Sequence, residues 1–255
     1  MNAPSSLPRE KANLRDVEPG YVLHSYPFKE TSLVVEVFTR SFGRLGLVAK
    51  GARRPRSALR GVLMAFQPLW LSWSGKSELR LLHRAEWQGG QPQMAGLALM
   101  CGFYLNELLL KLVAREDPHE ELYGAYEQAL SSLRDGQAPA AVLRRFEHWM
   151  LAELGYALRL NEDVGGAVLE PTATYAYVVE RGAVRKEPSG PAATPPAAEV
   201  GLEVIGKTLL DMDKGDYSDP ATVLQSRALM RYVINHYLGD QTLHTRQLLR
   251  DLQQL

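Results

Sequence analysis

The apolar pattern of this chain changes period at Pro92. Before it, Leu33, Val35 and Val37 alternate with Val34, Glu36 and Phe38, the spacing of two that a strand imposes. After it, Met94, Leu97, Leu99, Met100, Phe103, Tyr104, Leu108, Leu109, Leu112 and Val113 recur at helical spacing on more than one face. One element cannot serve both periods, so strands and helices are segregated along the chain and the expected class is α+β.

Five strands are read in the first part. Tyr21–Tyr26 and Leu33–Thr39 are separated by the turn-rich PFKETS, Arg44–Lys50 follows SFG, Val62–Trp73 is a long apolar run, and Leu79–Trp87 follows SGKS. Pro68 marks the fourth strand as an edge or a bulge. Five strands in so short a span fit a small barrel, an OB-fold or an SH3-like one. Helices are expected at Gln93–Arg115, Glu120–Arg134 and Pro139–Leu154. Residues 161–198 lack a helical period. Tyr175–Glu180 and Ala183–Arg185 there read as a small β-ribbon, followed by the loop PSGPAATPPAAE. Helices return near Glu199–Asp211, at Pro220–Leu238 with Ser218 or Asp219 as N-cap and Gly239 as the stop, and at Thr245–Leu255. The resulting division is a flexible leader at 1–19, a barrel at 20–88, a helical domain at 92–160, an irregular segment at 161–198, and C-terminal helices at 199–255 packing on the helical domain.

The chain has 29 basic and 29 acidic side chains, yet Val37–Ser77 has no acid and eight cations: Arg40, Arg44, Lys50, Arg53, Arg54, Arg56, Arg60 and Lys76. A local positive field on a neutral protein points to a polyanion, and a basic loop follows phosphates without reading bases. The same run would also serve as a solvated hairpin tip. Phe38, Phe42, Phe66, Trp70 and Trp73 lie nearby as candidates for base stacking, although a strand run equally reads Phe66, Trp70 and Trp73 as barrel core.

Other chemistry finds little support. One cysteine, Cys101, excludes an internal disulfide framework and a multi-cysteine zinc site, and its apolar surroundings mark it as a buried small side chain. The six histidines are scattered, and there is no phosphate-binding glycine loop, HExxH or nucleophile elbow. Carboxylates around His119 read as an acidic helix start, and those of DMDKGDYSD as a solvated loop. No metal, cofactor or catalytic residue is expected, and no signal peptide or membrane span.

The stretch YVLHSYPFKETSLVVEVFTRSFGRLGLVAKGARRPRSALRG, Tyr21–Gly61, resembles the RecO family of bacterial recombination mediators. The resemblance continues in FYLNELLLKL at Phe103–Leu112, LRRFEHWMLAELGY at Leu143–Tyr156 and LGDQTLHTRQLLR at Leu238–Arg250. It implies an OB-fold, a helical domain and a non-enzymatic role in DNA repair and recombination in the bacterial cytoplasm, at the nucleoid. Implied partners are single- and double-stranded DNA, the acidic C-terminal tail of the single-strand DNA-binding protein, and RecR, with a functional link to RecA. The implied activities are strand annealing and help in loading the recombinase onto coated single strands. Family members often carry a zinc-binding cysteine cluster, which residues 161–198 cannot form. The resemblance places the tail site at LRRFE, with Leu143, Arg144, Arg145 and Phe146 beside Tyr104, Leu108 and Leu112 as groove walls. An RNA-binding barrel, or a scaffold docking an acidic protein, are the alternatives the residues leave open.

Overall fold

The computed structural model describes residues 17–186 and 201–252. The expected leader lies outside these residues except for Val17–Pro19, and the Pro/Ala loop lies outside them entirely. The chain forms two compact units. The first runs to Pro92 and takes in Ala114–Glu120; the second comprises Gln93–Val113 and the residues from Glu121 onward. The expected helical domain thus yields residues 114–120 to the barrel unit.

In the first unit, β1 (Glu18–Phe28), β2 (Ser32–Thr39), β3 (Gly43–Ala49), β4 (Pro68–Ser74) and β5 (Leu79–Trp87) close into a barrel in the order β1-β2-β3-β5-β4. The closing pair β1–β4 is antiparallel and β3–β5 is parallel. This is an OB-fold barrel. The strand alternation sends Val35 and Val37, Leu45 and Leu47, Leu69, Leu71 and Trp73, and Leu82 into one core. Val62–Trp73 is not one strand. A short helix, α1 (Leu59–Val62), precedes it, and β4 begins only at Pro68. Proline lacks an N–H and is tolerated as a first strand residue, while Phe66 has φ +66°, a left-handed conformation that interrupts extended chain.

Residues 114–120 press on the β2–β3 hairpin. Glu116 N donates to the Arg44 carbonyl at 2.9 Å. Gly43 has φ +63°, and a Cβ there would lie 1.9 Å from the Asp117 carbonyl oxygen, so the contact requires glycine twice over.

In the second unit, α2 (Gly96–Leu112), α3 (Glu120–Arg134) and α4 (Pro139–Glu153) lead to a three-stranded sheet of order β7-β6-β8. Its strands are β6 (Thr174–Val178), β7 (Gly182–Arg185) and β8 (Leu202–Ile205), and the helices α5 (Gly206–Asp213), α6 (Pro220–Leu238) and α7 (His244–Leu252) follow. The helix expected near 199–211 is therefore half strand. Leu202–Ile205 pairs with Thr174–Tyr177, burying Val204 between exposed Glu203 and Ile205, a period of two in too short a run to be told from a helical turn. Asp219 caps α6 by accepting from Ala221 N at 2.9 Å, and Gly239 at φ +57° ends it.

Gly43→Ala is expected to destabilise the protein by about 2 kcal/mol or more, from backbone strain plus displacement of residues 114–120. Gly124→Ala, on a solvent-facing turn of α3 with open space around the added carbon, is expected to gain about 0.5–1 kcal/mol. Chemical denaturation of the two variants checks both signs.

Candidate functional site

Lys50, Arg53, Arg54 and Arg56 stand exposed on the loop between β3 and α1, with Arg60 exposed on α1, Arg40 on the β2–β3 turn and Lys76 on the β4–β5 loop. Gly51 and Pro55 keep this stretch out of the ladder, so its side chains project from the barrel's end. Arg53 anchors the loop. Its amide donates to the Thr31 carbonyl at 2.9 Å, and its guanidinium reaches the carbonyls of Lys29 and Glu30 at 3.3 Å each. That clasp sets the β1–β2 turn beside the basic loop and adds Lys29 to the cationic surface. Lys29 lies outside the acid-free run and next to Glu30, so only the contact between loops reveals it.

Arg44 is placed differently. Its guanidinium pairs with Glu36 at 3.2 Å, and both side chains are largely buried. Glu36 is met again by Arg115, which also pairs with Glu78, while Arg80 pairs with Glu116 at 2.7 Å. Burial, with Glu36 opposing and Arg115 reinforcing, draws Arg44 below the usual arginine value. The outer face of β2 and β3, where many OB-folds take their ligand, is here occupied by residues 114–120. The exposed cations of the acid-free run lie on loops and on α1.

The aromatic residues divide in the same way. Phe38, Phe66 and Trp73 are buried, and Phe42 packs edge-on against Trp73 with ring centroids 5.5 Å apart. Trp70, 40 % exposed on the outer face of β4, is alone of the five in being exposed.

The second unit holds a cleft of ≈ 300 Å³ between α2, α4, α6 and α7. Its walls are apolar, with Leu97 and Cys101 from α2, Pro139, Ala140 and Leu143 from α4, and Pro220, Val223 and Leu224 from α6. Tyr104, Arg144, Arg227, Arg231 and Arg246 complete the lining. Leu224 and Leu97 are 68 % and 53 % exposed. Cys101 faces the same apolar space, and burial pushes its thiol up to about 11.

Of the residues expected at the tail site, Tyr104, Leu143 and Arg144 line this cleft. Leu108 and Phe146 do not; they are core, and Phe146 packs against Tyr126. Leu112 is half-buried outside the lining. Arg145 turns away on the next helical position, donating to the Gly215 carbonyl at 3.3 Å and lying 6.0 Å from the Tyr217 ring centroid. Consecutive helix residues diverge by about 100°, so an Arg-Arg pair cannot serve one groove. Arg227 and Arg231, four apart on α6, share a face and both line the cleft. The i, i+4 spacing was visible in ATVLQSRALMR, but which neighbour that face met was not.

Arg144 is 8 % exposed and pairs with Glu147, which is fully buried and also accepts from Tyr104 Oη at 2.6 Å. Burial works against the Arg144 charge, but Glu147 outweighs it and raises the guanidinium. Burial first, and then Glu147, raises the Tyr104 phenol, which stays protonated. Arg144 Nε and Glu147 Oε2 are buried without a hydrogen-bond partner among the described residues.

The tempting carboxylates have structural tasks. Glu116 pairs with Arg80, Asp211 accepts from Lys207 and Thr222, Asp216 accepts from Ser218 N, and Asp219 caps α6. Among the described residues no three His, Cys, Asp or Glu side chains are grouped to hold a metal ion, and no helix is long and apolar enough to cross a membrane.

The chain is thus a protein of two units, a closed OB barrel with a cationic loop and a helical unit with an arginine-lined apolar cleft. Two family models match: "Recombination protein O N terminal" over residues 16–90 and "Recombination protein O C terminal" over 95–247. The chain belongs to the RecO family of DNA repair and recombination proteins. It is 56 % identical over 242 residues to the DNA repair protein RecO of Nitrosospira multiformis, covering 94 % of this chain and 97 % of the relative. It is 54 % identical over 242 residues to that of Aromatoleum aromaticum, with the same shares covered.

The placement of Arg44 separates two kinds of arginine. Arg44→Ala is expected to cost about 1.5–3 kcal/mol of stability, because it removes a charged hydrogen bond from buried Glu36. Arg54→Ala with Arg56→Ala is expected to leave thermal stability within about 0.5 kcal/mol. It should make the slope of log K against log salt for a single strand shallower by roughly 1.4, two phosphate contacts' worth. Denaturation curves and anisotropy titrations check the two halves.

Proposed function

We propose that this protein mediates recombination without catalysis of its own: it holds DNA on the barrel loops and a partner's acidic tail in the cleft. The observation that carries the reading is the division of the arginines. Exposed guanidiniums on a barrel loop suit phosphates, while guanidiniums around apolar walls suit a peptide that is both acidic and apolar.

On the barrel, Lys29, Lys50, Arg54, Arg56 and Arg60 lower the repulsion between two phosphate backbones, and base pairing supplies sequence selection. Strand annealing follows from that division of labour, with single and double strands both bound through their backbones. Trp70 is the ring placed to stack on a base. In the cleft, Leu224, Leu97 and Leu143 receive apolar side chains. Arg227 and Arg231 meet carboxylates, while Arg144 is committed to Glu147. The tail of the single-strand DNA-binding protein fits that chemistry, and its capture brings the barrel to strands that need annealing or recombinase. RecR, the loading of RecA, and a place in the bacterial cytoplasm at the nucleoid enter through family membership.

Anisotropy with unrelated single strands across a salt series tests the DNA half. About four phosphate contacts give a slope near −3, and affinity independent of sequence. Sequence-dependent affinity, or tighter binding of matched RNA than of DNA, would favour an RNA-binding protein instead. Isothermal titration with the tail peptide tests the other half. Arg231→Ala is expected to weaken tail binding roughly tenfold, one charge-assisted contact, with DNA affinity unchanged. Arg145→Ala is expected to leave tail binding within about twofold, since its side chain turns away from the cleft.

A further inference from the structure

Two family stretches, Phe103–Leu112 and Leu238–Arg250, meet at one contact. The Glu107 carboxylate on α2 accepts three hydrogen bonds from the start of α7: His244 N at 2.8 Å, Thr245 N at 2.9 Å and Thr245 Oγ1 at 2.6 Å. One turn along α2, Lys111 donates to the Thr242 carbonyl and pairs with Glu107 at 3.3 Å. Leu243 is buried between these polar contacts. Burial resists the charge on Glu107, but the Thr245 hydroxyl, the two amides and Lys111 together hold its carboxyl below the usual range.

The residue after Thr245 is Arg246, and it lines the cleft. Its guanidinium donates to Asn235 Oδ1 at 2.8 Å and to Tyr104 Oη at 2.9 Å, lying 5.4 Å from the Tyr104 ring centroid. Both partners are neutral, and among the described residues no carboxylate pairs with it. Two of its five N–H donors are used, so it keeps charge and donors for an anion. Arg144, by contrast, is already neutralised by Glu147.

We propose that Arg246 is the residue that meets the terminal carboxylate of the bound tail, and that Glu107 is a positioning residue that docks α7 so as to hold Arg246 there. The proposal rests on the cleft being the tail site. It makes tail recognition depend on the chain's last helix, and it assigns one task to both family stretches.

The test uses the full-length protein and two peptides: the tail of the single-strand DNA-binding protein with a free α-carboxylate, and the same peptide amidated. The parent is expected to prefer the acid by about tenfold, one charge-assisted contact. Arg246→Ala and Glu107→Ala should each bring that ratio close to one. Glu107→Ala made in the Arg246→Ala background should change neither affinity further, which a purely structural role would not produce. If both single variants keep the parent's acid-over-amide ratio while Leu224→Ala weakens both peptides, the cleft reading stands and this inference falls. If Glu107→Ala weakens acid and amide equally, Glu107 only stabilises the fold and the inference falls again. If Leu224→Ala, Arg231→Ala and Arg246→Ala all bind like the parent, the tail lies elsewhere and both readings fall together.

Discussion

A carboxylate shut away from water must be met by a cation or by hydrogen-bond donors, because an unpaired buried charge costs several kcal/mol. The protein obeys this in each unit. Glu36, 4 % exposed on β2, is met by Arg44 and Arg115; Glu147, fully buried on α4, is met by Arg144 and the Tyr104 hydroxyl. These pairings decide which arginines are structural. They pin residues 114–120 to the barrel, and they fix the Tyr104 ring against which Arg246 lies.

What remains is exposed charge. On the barrel, the strand face of β2 and β3 is taken up by residues 114–120, so cations are offered from loops. A loop surface suits a phosphate backbone, which demands charge density but little shape. The clasp of Arg53 on the Lys29 and Glu30 carbonyls keeps that surface from being merely floppy. Arg53 has the least freedom of the loop's arginines, and Lys50, Arg54 and Arg56 carry the exposed charge.

The helical unit joins shape to charge. Leu97, Leu143 and Leu224 come from three helices that converge only in the folded chain, and Arg227, Arg231 and Arg246 come from α6 and α7. Glu107 ties the last of these helices down through three donors at its first turn, where the amides have no partner within the helix.

The amino-acid order alone specified the α+β class, the barrel of five strands, α3 and α6 in extent, a cap for α6 at Ser218 or Asp219, and the basic loop. All of these rest on local causes: the period of apolar residues, proline and glycine punctuation, and an acid-free run. It also carried the family, through YVLHSYPFKETSLVVEVFTRSFGRLGLVAKGARR and the two later stretches. Folding was needed to pair Arg44 inward and to bring Lys29 to the loop. It alone turned Arg145 from the groove and divided Leu202–Asp213 between strand and helix. It likewise chose Trp70 over Phe42, Phe66 and Trp73 as the exposed ring. Most of those outcomes depend on a partner distant in the chain: Lys29 on the Arg53 clasp, Arg145 on Gly215, β8 on β6. A cation reads the same in sequence whether its carboxylate lies across the barrel or nowhere at all, so charge can be counted along a chain but its use is assigned only by folding.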